Sequence, residues 1–251
     1  MKKNSSRRTF IAGFIIFISL FLSLCFIFVY ISDSIQKATA LPSVSSLPIT
    51  PIVVIDAGHG GEDGGTVGKN GALEKDINLS LAKKLKVFLA SLGIQSVLTR
   101  SDDRLLYDKN VDYQGRKKAL DMQERLKIAN SYQNVIFISI HQNSFPSERY
   151  NGFQVYYSQN NESSHQLATL LENTVRSKLQ PDNNRACKAS DGKIYLLDKL
   201  ACTAVLVECG FLSNVEECEL LCTEEYQNKL AALVSSVILD FLNTDNSQIP
   251  N

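Results

Sequence analysis

No charge of either sign predominates in this sequence, where 26 Lys and Arg stand against 26 Asp and Glu. The balance conceals an asymmetry, because residues 1–50 carry five positives (Lys2, Lys3, Arg7, Arg8, Lys37) and one negative (Asp33). Residues 51–251 are left with 21 positives and 25 negatives, a net charge of −4. No basic field remains there to neutralise phosphates, which argues against a nucleic-acid partner. Nucleotide-binding loops are also missing. The glycines at 58, 60, 61, 64, 65, 68 and 71 fit neither G-x-x-x-x-G-K-[ST] nor a G-x-G-x-x-G that opens a helix. No C-x-x-C pair occurs among the six cysteines. Cys25 falls in an apolar run, and the other five (Cys187, Cys202, Cys209, Cys218, Cys222) are odd in number. They read mainly as small apolar residues, with one disulfide left open. Internal repeats and low-complexity blocks are absent as well.

What is present begins at the N-terminus. From Phe10 to Ile31 no residue is charged, and most are Phe, Ile, Leu or Val. At about 1.5 Å per residue this run spans the roughly 30 Å hydrocarbon core of a bilayer. The cluster Lys2, Lys3, Arg7 and Arg8 just upstream places the N-terminus in the cytoplasm by the positive-inside rule. The chain beyond residue 31 is then extracytoplasmic. A retained signal-anchor is the favoured reading over a cleaved signal peptide, although Ala38-Thr39-Ala40 has the small-x-small form of a cleavage site. The expected organisation is a basic cytoplasmic segment at 1–9, a transmembrane helix at 10–31, a linker at 32–51, one catalytic domain at 52–243 and a tail at 244–251. Three prolines (Pro42, Pro48, Pro51) and a lack of hydrophobic periodicity mark the linker.

Within the domain, short apolar runs alternate with amphipathic stretches. Strands are expected at 52–56 (IVVID), 94–98, 135–140 (VIFISI), 153–157 and 204–208 (AVLVE), with helices at about 75–92, 113–131, 163–179 and 224–242. VIFISI is nearly unbroken, as in strands buried on both faces. This alternation predicts an α/β domain with a mainly parallel central sheet, whose ligands gather at the carboxyl ends of the strands.

Residues able to bind a metal or move a proton fall at those ends. Only three histidines exist. His59 follows IVVID across a short turn, and His141 follows VIFISI directly. Glu74 opens the first helix, and Glu208 ends AVLVE. Two imidazoles and one carboxylate leave a tetrahedral zinc with an open position, the pattern of a catalytic site. A further carboxylate could take a proton from the bound water and pass it to a leaving amine. Each residue also has a plainer reading. A histidine at a strand end is usually a satisfied polar group, and Glu74 suits a helix start by the macrodipole alone. Glu208 is odder, since burying a carboxylate costs energy unless it is paired or near a metal. His165, at a helix start, reads as exposed and uninvolved. Spacing alone supports a metallohydrolase and no more.

The segments IDAGHGGEDGG, GALEKDINL, FISIHQNSF and LVECGFLSN, in that order, resemble the N-acetylmuramoyl-L-alanine amidase family of zinc hydrolases, the type 3 amidase domain, over about residues 52–243. The resemblance implies an α/β three-layer sandwich with helices on both faces of the sheet. It also implies one Zn2+ held by His59, Glu74 and His141, with Glu208 as catalytic acid/base. The activity implied is hydrolysis of the amide between the muramic acid lactyl group and L-alanine in peptidoglycan. Arg125 and Asn130, in QERLKIAN, resemble a family helix motif and read as packing or support for the site. Ala57 and Thr203 stand where the family commonly has proline, which should loosen the backbone at the metal site. A bare domain behind an anchor resembles the CwlD-type spore-cortex, germination-specific subgroup. In that subgroup, stem-peptide removal prepares muramic acid for lactam formation, and an accessory activating or targeting protein is expected. The rivals are another peptidoglycan zinc hydrolase (a peptidase or deacetylase), a thiol hydrolase using Cys209 and His141, and a catalytically inactive wall-binding or partner-recruiting module.

Overall fold

The computed structural model describes residues 21–32, 51–108, 110 and 114–246. The chain divides into two compact units, Met1–Ile49 and Thr50–Asn251. In the first, residues 21–32 form a helix on which every residue is exposed. Among the described residues no helix is long and apolar enough to cross a membrane. The expected cytoplasmic segment, residues 10–20 of the expected span, the linker from 33 to 50 and the tail from 247 lie outside the described residues.

The second unit is built on six strands: β1 (Ile52–Ala57), β2 (Ser96–Leu98), β3 (Val135–Asn143), β4 (Gln154–Tyr157), β5 (Lys188–Ala189) and β6 (Thr203–Phe211). Six helices accompany them: α1 (Glu74–Ser91), α2 (Lys117–Asn130), α3 (Glu162–Lys178), α4 (Tyr195–Lys199), α5 (Val215–Leu221) and α6 (Glu224–Asn246). The strand order is β2-β1-β3-β6-β4-β5. The sheet is mixed, which corrects the expectation of a mainly parallel one. Strands β2, β1, β3 and β6 run together, but β4 pairs antiparallel with β6, and β5 follows β4 in the reversed direction. The reversal has a simple cause. The connection from β3 to β4 holds no helix, so the chain cannot make the crossover that a parallel neighbour requires.

Side chains alternate across a strand, so residue parity decides which face each one serves. Val53, Ile55 and Ala57 of β1, Ile136, Ile138 and Ile140 of β3, and Val205, Val207 and Cys209 of β6 enter one core, with α1, α3 and α6. Val54, Phe137, Ala204 and Leu206 enter the opposite core, with residues of α2 and α4. The sheet is therefore covered on both faces, as the unbroken VIFISI run requires. Helix α1 is held against the first core by Ile77, Leu81, Leu85 and Leu89, each at most 4% exposed. Burying a side chain of this size contributes roughly 1.5–3 kcal/mol. That spacing of four fixes the rotation of α1 and carries Glu74, at its first turn, under cover.

The same parity places Asp56, Ser139, His141 and Glu208 on the α2/α4 face, just beyond the apolar residues of that core. The site occupies the polar end of this second layer.

Candidate metal centre and active site

The loop from Gly58 to Leu73 returns the chain from the end of β1 to the start of α1, folding the ligand-bearing residues together. His59 takes a left-handed backbone (φ 62°), a conformation that histidine tolerates better than most residues and that is common at functional sites. Its Nδ1 lies 2.9 Å from Asp63 Oδ2 and its Nε2 lies 3.2 Å from Glu74 Oε1. His141 Nδ1 lies 3.0 Å from the same Glu74 oxygen. The two imidazole centroids are 4.9 Å apart, edge to face. One ligand atom from each of His59, Glu74 and His141 lies within 4.8 Å of the others, a grouping that suits one metal ion.

The geometry around this trio is specific. A Cβ on Gly58 would fall inside the imidazole of His141, and one on Gly65 would sit 2.6 Å from Glu74 Oε2 and 2.7 Å from the His59 ring. Both glycines are therefore demanded by the histidines and the carboxylate. Glu74 is further fixed by Thr66 N, which donates to Oε2 at 2.9 Å, and by Gln142 N, which donates to Oε1 at 3.1 Å. Burial would raise the Glu74 pKa, but hydrogen bonds and charge from His141 and His59 hold it well below the usual carboxylate range. Burial pulls His59 down, and Glu74 and Asp63 more than offset it, leaving its pKa raised. Asp63 lies at ion-pair distance from His59 Nδ1 without an aligned hydrogen bond, so its support of the ring is one of charge.

Glu208 stands directly opposite His141 in the β3–β6 register, and opposite Gln154 on its other side. Its Oε2 is buried with no hydrogen-bond partner. Burial, offset by His141 and His59 and reinforced by Glu74, pushes its pKa up to about 7. A carboxylate so placed exchanges a proton readily near neutral pH.

Two buried arginines grip the loop from below. Arg125 donates to the Ala57 and His59 carbonyls, both at 2.7 Å, and to Asp56 Oδ1 at 2.6 Å and Asp121 Oδ2 at 2.7 Å. Arg100 donates to the carbonyls of Ala57 (2.9 Å), Gly58 (3.0 Å) and Lys75 (2.8 Å). Asp56 also accepts from Thr99 and Ser139, both at 2.7 Å. Burial alone would raise Asp56, but Arg125 and these hydroxyls hold its pKa down. The loosening expected from Ala57 is thus countered by two guanidiniums on its carbonyl.

His59, Glu74 and His141 come together at the carboxyl ends of β1 and β3, and Glu208 lies opposite His141 on β6. Asn130 is exposed at the end of α2, away from the clamp that Arg125 makes. His165 is exposed and rests against Tyr157 at 4.7 Å, apart from the centre. Cys209 is buried in the first core, on the face opposite Glu208, and burial pushes its thiol far up, so it makes a poor nucleophile. The cysteines of the described residues are all free. Sequence reasoning did not single out Asp63, Arg100 or Asp56. Asp63 stands four positions after His59, and that spacing was the available signal.

A family model described as N-acetylmuramoyl-L-alanine amidase matches residues 53–240. The germination-specific N-acetylmuramoyl-L-alanine amidase of Bacillus subtilis is 32% identical over 241 residues, covering 96% of this chain and 96% of that protein. Among solved structures, the CwlD amidase of Clostridioides difficile, in complex with the GerS lipoprotein, is 36% identical with a TM-score of 0.73 and covers 78% of this chain and 100% of that one. The amidase AmiC2 of Nostoc punctiforme is 34% identical with a TM-score of 0.64, over 77% and 98% of the two chains.

Proposed function

The chain belongs to the N-acetylmuramoyl-L-alanine amidase family, and on that premise we propose that it is a zinc-dependent amidase of spore-cortex peptidoglycan, tethered to a membrane with its catalytic domain outside the cytoplasm. The observation that carries the chemistry is the convergence of His59 and His141 on one oxygen of Glu74. The close approach of backbone to those groups that Gly58 and Gly65 permit, and the unpartnered Glu208 oxygen beside them, fit a bound cation better than a structural ion pair. His59, Glu74 and His141 would hold the zinc. Bound there, zinc would acidify a water and polarise the amide carbonyl.

The chain's own residues do the rest. Glu208 accepts the proton of the attacking water as the new carbon–oxygen bond forms. It then delivers that proton to the nitrogen of L-alanine as the amide carbon–nitrogen bond breaks. Asp63 places a negative charge 2.9 Å from the His59 ring, and Arg100 and Arg125 keep the loop from drifting. Preorganisation of this kind counts, because a displacement of about 1 Å can cost a hundredfold in rate.

The spore role rests on the end-to-end likeness to the germination-specific enzyme. The product, muramic acid freed of its peptide, would then serve lactam formation. The complex of the Clostridioides enzyme with a lipoprotein supports an accessory protein here also. Tethering rests on the apolar run at 10–31 and its basic flank.

Purified protein incubated with peptidoglycan should release fragments whose new amino groups belong to L-alanine. A chelator should stop the reaction and added zinc should restore it. Glu208→Gln should keep its zinc and lose at least about a hundredfold in turnover, whereas His59→Ala should lose both. New amino groups on another residue or on a sugar would favour the peptidase or deacetylase reading. Unimpaired turnover by Glu208→Gln would refute its acid/base role.

A further inference from the structure

Two cavities flank the candidate centre. One is lined by His59 and His141, the other by Glu208, Asn143 and Tyr156, and they meet at Lys193, Ile194 and Leu206. The Glu208 cavity holds about 530 Å³, within the range of ligand-binding clefts. Its rim is a built feature. Asp191 (φ 48°) and Gly192 (φ 75°) turn the chain in the left-handed region after β5. Ser190 N donates to the Tyr157 carbonyl and Lys193 N to the Ser190 carbonyl, both at 3.0 Å. Asp198 then ties the turn to α4, accepting from Ser190 Oγ and, at 3.1 Å, from Ile194 N. The turn therefore presents Lys193 at a fixed place, with Lys188 beside it on β5.

Among the described residues, neither Lys188 nor Lys193 forms an ion pair with a carboxylate, although Asp191 shares the rim. An exposed lysine is ordinarily just solvated. Lys193 differs because it lines both cavities at their junction.

We propose that Lys193, assisted by Lys188, is a specificity-determining residue that binds a carboxylate of the peptide leaving the reaction. This deepens the amidase reading and rests on it. If Glu208 protonates the departing amine, the released peptide must begin beside Glu208 and run into that residue's cavity. The cationic rim faces that path. An anionic side chain or free carboxylate near the start of the peptide is the chemistry that would satisfy it.

The test uses full-length protein loaded with zinc and two soluble substrates, N-acetylmuramoyl-L-alanyl-D-glutamate and the same compound with both glutamate carboxylates amidated. The wild type should favour the free acid by about twofold to fivefold in kcat/KM, mainly through KM, as expected for one partly shielded charge pair. Lys193→Gln should bring that ratio close to one, Lys193→Glu should invert it, and Lys193→Arg should keep it. Lys178→Gln, an exposed lysine on α3, is the control and should keep the wild-type ratio. Equal use of both compounds by the wild type, or an undiminished preference in Lys193→Gln, would overturn the assignment while leaving the amidase reading intact. Failure of the wild type to cleave either compound or peptidoglycan would overturn both.

Discussion

At Gly58 the side chain is a hydrogen because the imidazole of His141 occupies the volume that a methyl group would need. Gly58→Ala must therefore push His141 away from Glu74 or distort the end of β1, at a cost on the order of 1–3 kcal/mol. The expected result is zinc binding weakened by at least about tenfold, with turnover falling alongside it. Calorimetric zinc titration of the apo-protein checks this, and an unchanged affinity would show that the contact is relieved at no cost. Some residues of the centre could be read from sequence and others could not. His59, His141 and Glu208 ended or followed apolar strand runs, so their location at the sheet's edge was legible. Glu74 read equally well as an ordinary helix-start acid until its family motif was recognised. Arg100 gave no sign, because a buried arginine held by four carbonyls looks in sequence like any surface arginine.

At the scale of the element, the strong strands and long helices matched their patterns closely, because burial on both faces or on one helical stripe leaves a periodic trace. The two-residue β5, the five-residue α4 and the seven-residue α5 were not anticipated. Elements so short owe their form to tertiary hydrogen bonds, such as those of Asp198, rather than to any period. The reversal of β4 was also missed, since alternation of apolar residues says nothing about strand direction. Helix α3 carries a testable feature of its own. Glu172 is 2% exposed, pairs only loosely with Arg176 at 3.9 Å and accepts from Val155 N at 2.9 Å. Burial pushes its pKa up to about 7, from an ordinary value of 4.5, against weaker opposing effects of Val155, Arg176 and Arg185. Below about pH 4.5 folded and unfolded chains both hold this proton, and the associated stability is fully present. It is lost as pH rises through about 7, where the folded protein must ionise a buried group. Glu172→Gln retains the acceptor and removes the titration. Between about pH 5 and pH 8 the wild type should lose on the order of 2 kcal/mol relative to this variant. Denaturant melts of both proteins across that range measure the difference, and parallel pH profiles would sink the idea.

For the whole molecule, the compact unit that begins at Thr50 has both cores within it. A fragment of residues 51–251 should fold alone, remain in the soluble fraction and melt cooperatively, whereas the full chain should sediment with membranes. Sedimentation after carbonate washing and thermal melts of the two proteins test this. A full chain released by the wash would remove the anchor, and a fragment without a cooperative transition would remove the independence of the domain. The α/β class was legible at this scale, because the alternation of strand and helix patterns is a global property.

The antiparallel return of β4 and β5 has a consequence for how such an enzyme diversifies. Hydrolytic groups ride on the co-directional strands and the loop locked by Arg100 and Arg125, whereas the turn at 190–194 hangs from the reversed pair. Mutation can reshape that turn, trading lysine for acid or lengthening the bend, without disturbing the locked half. Lineages sharing one hydrolytic apparatus would in this way adapt to chemically different walls by editing a handful of codons.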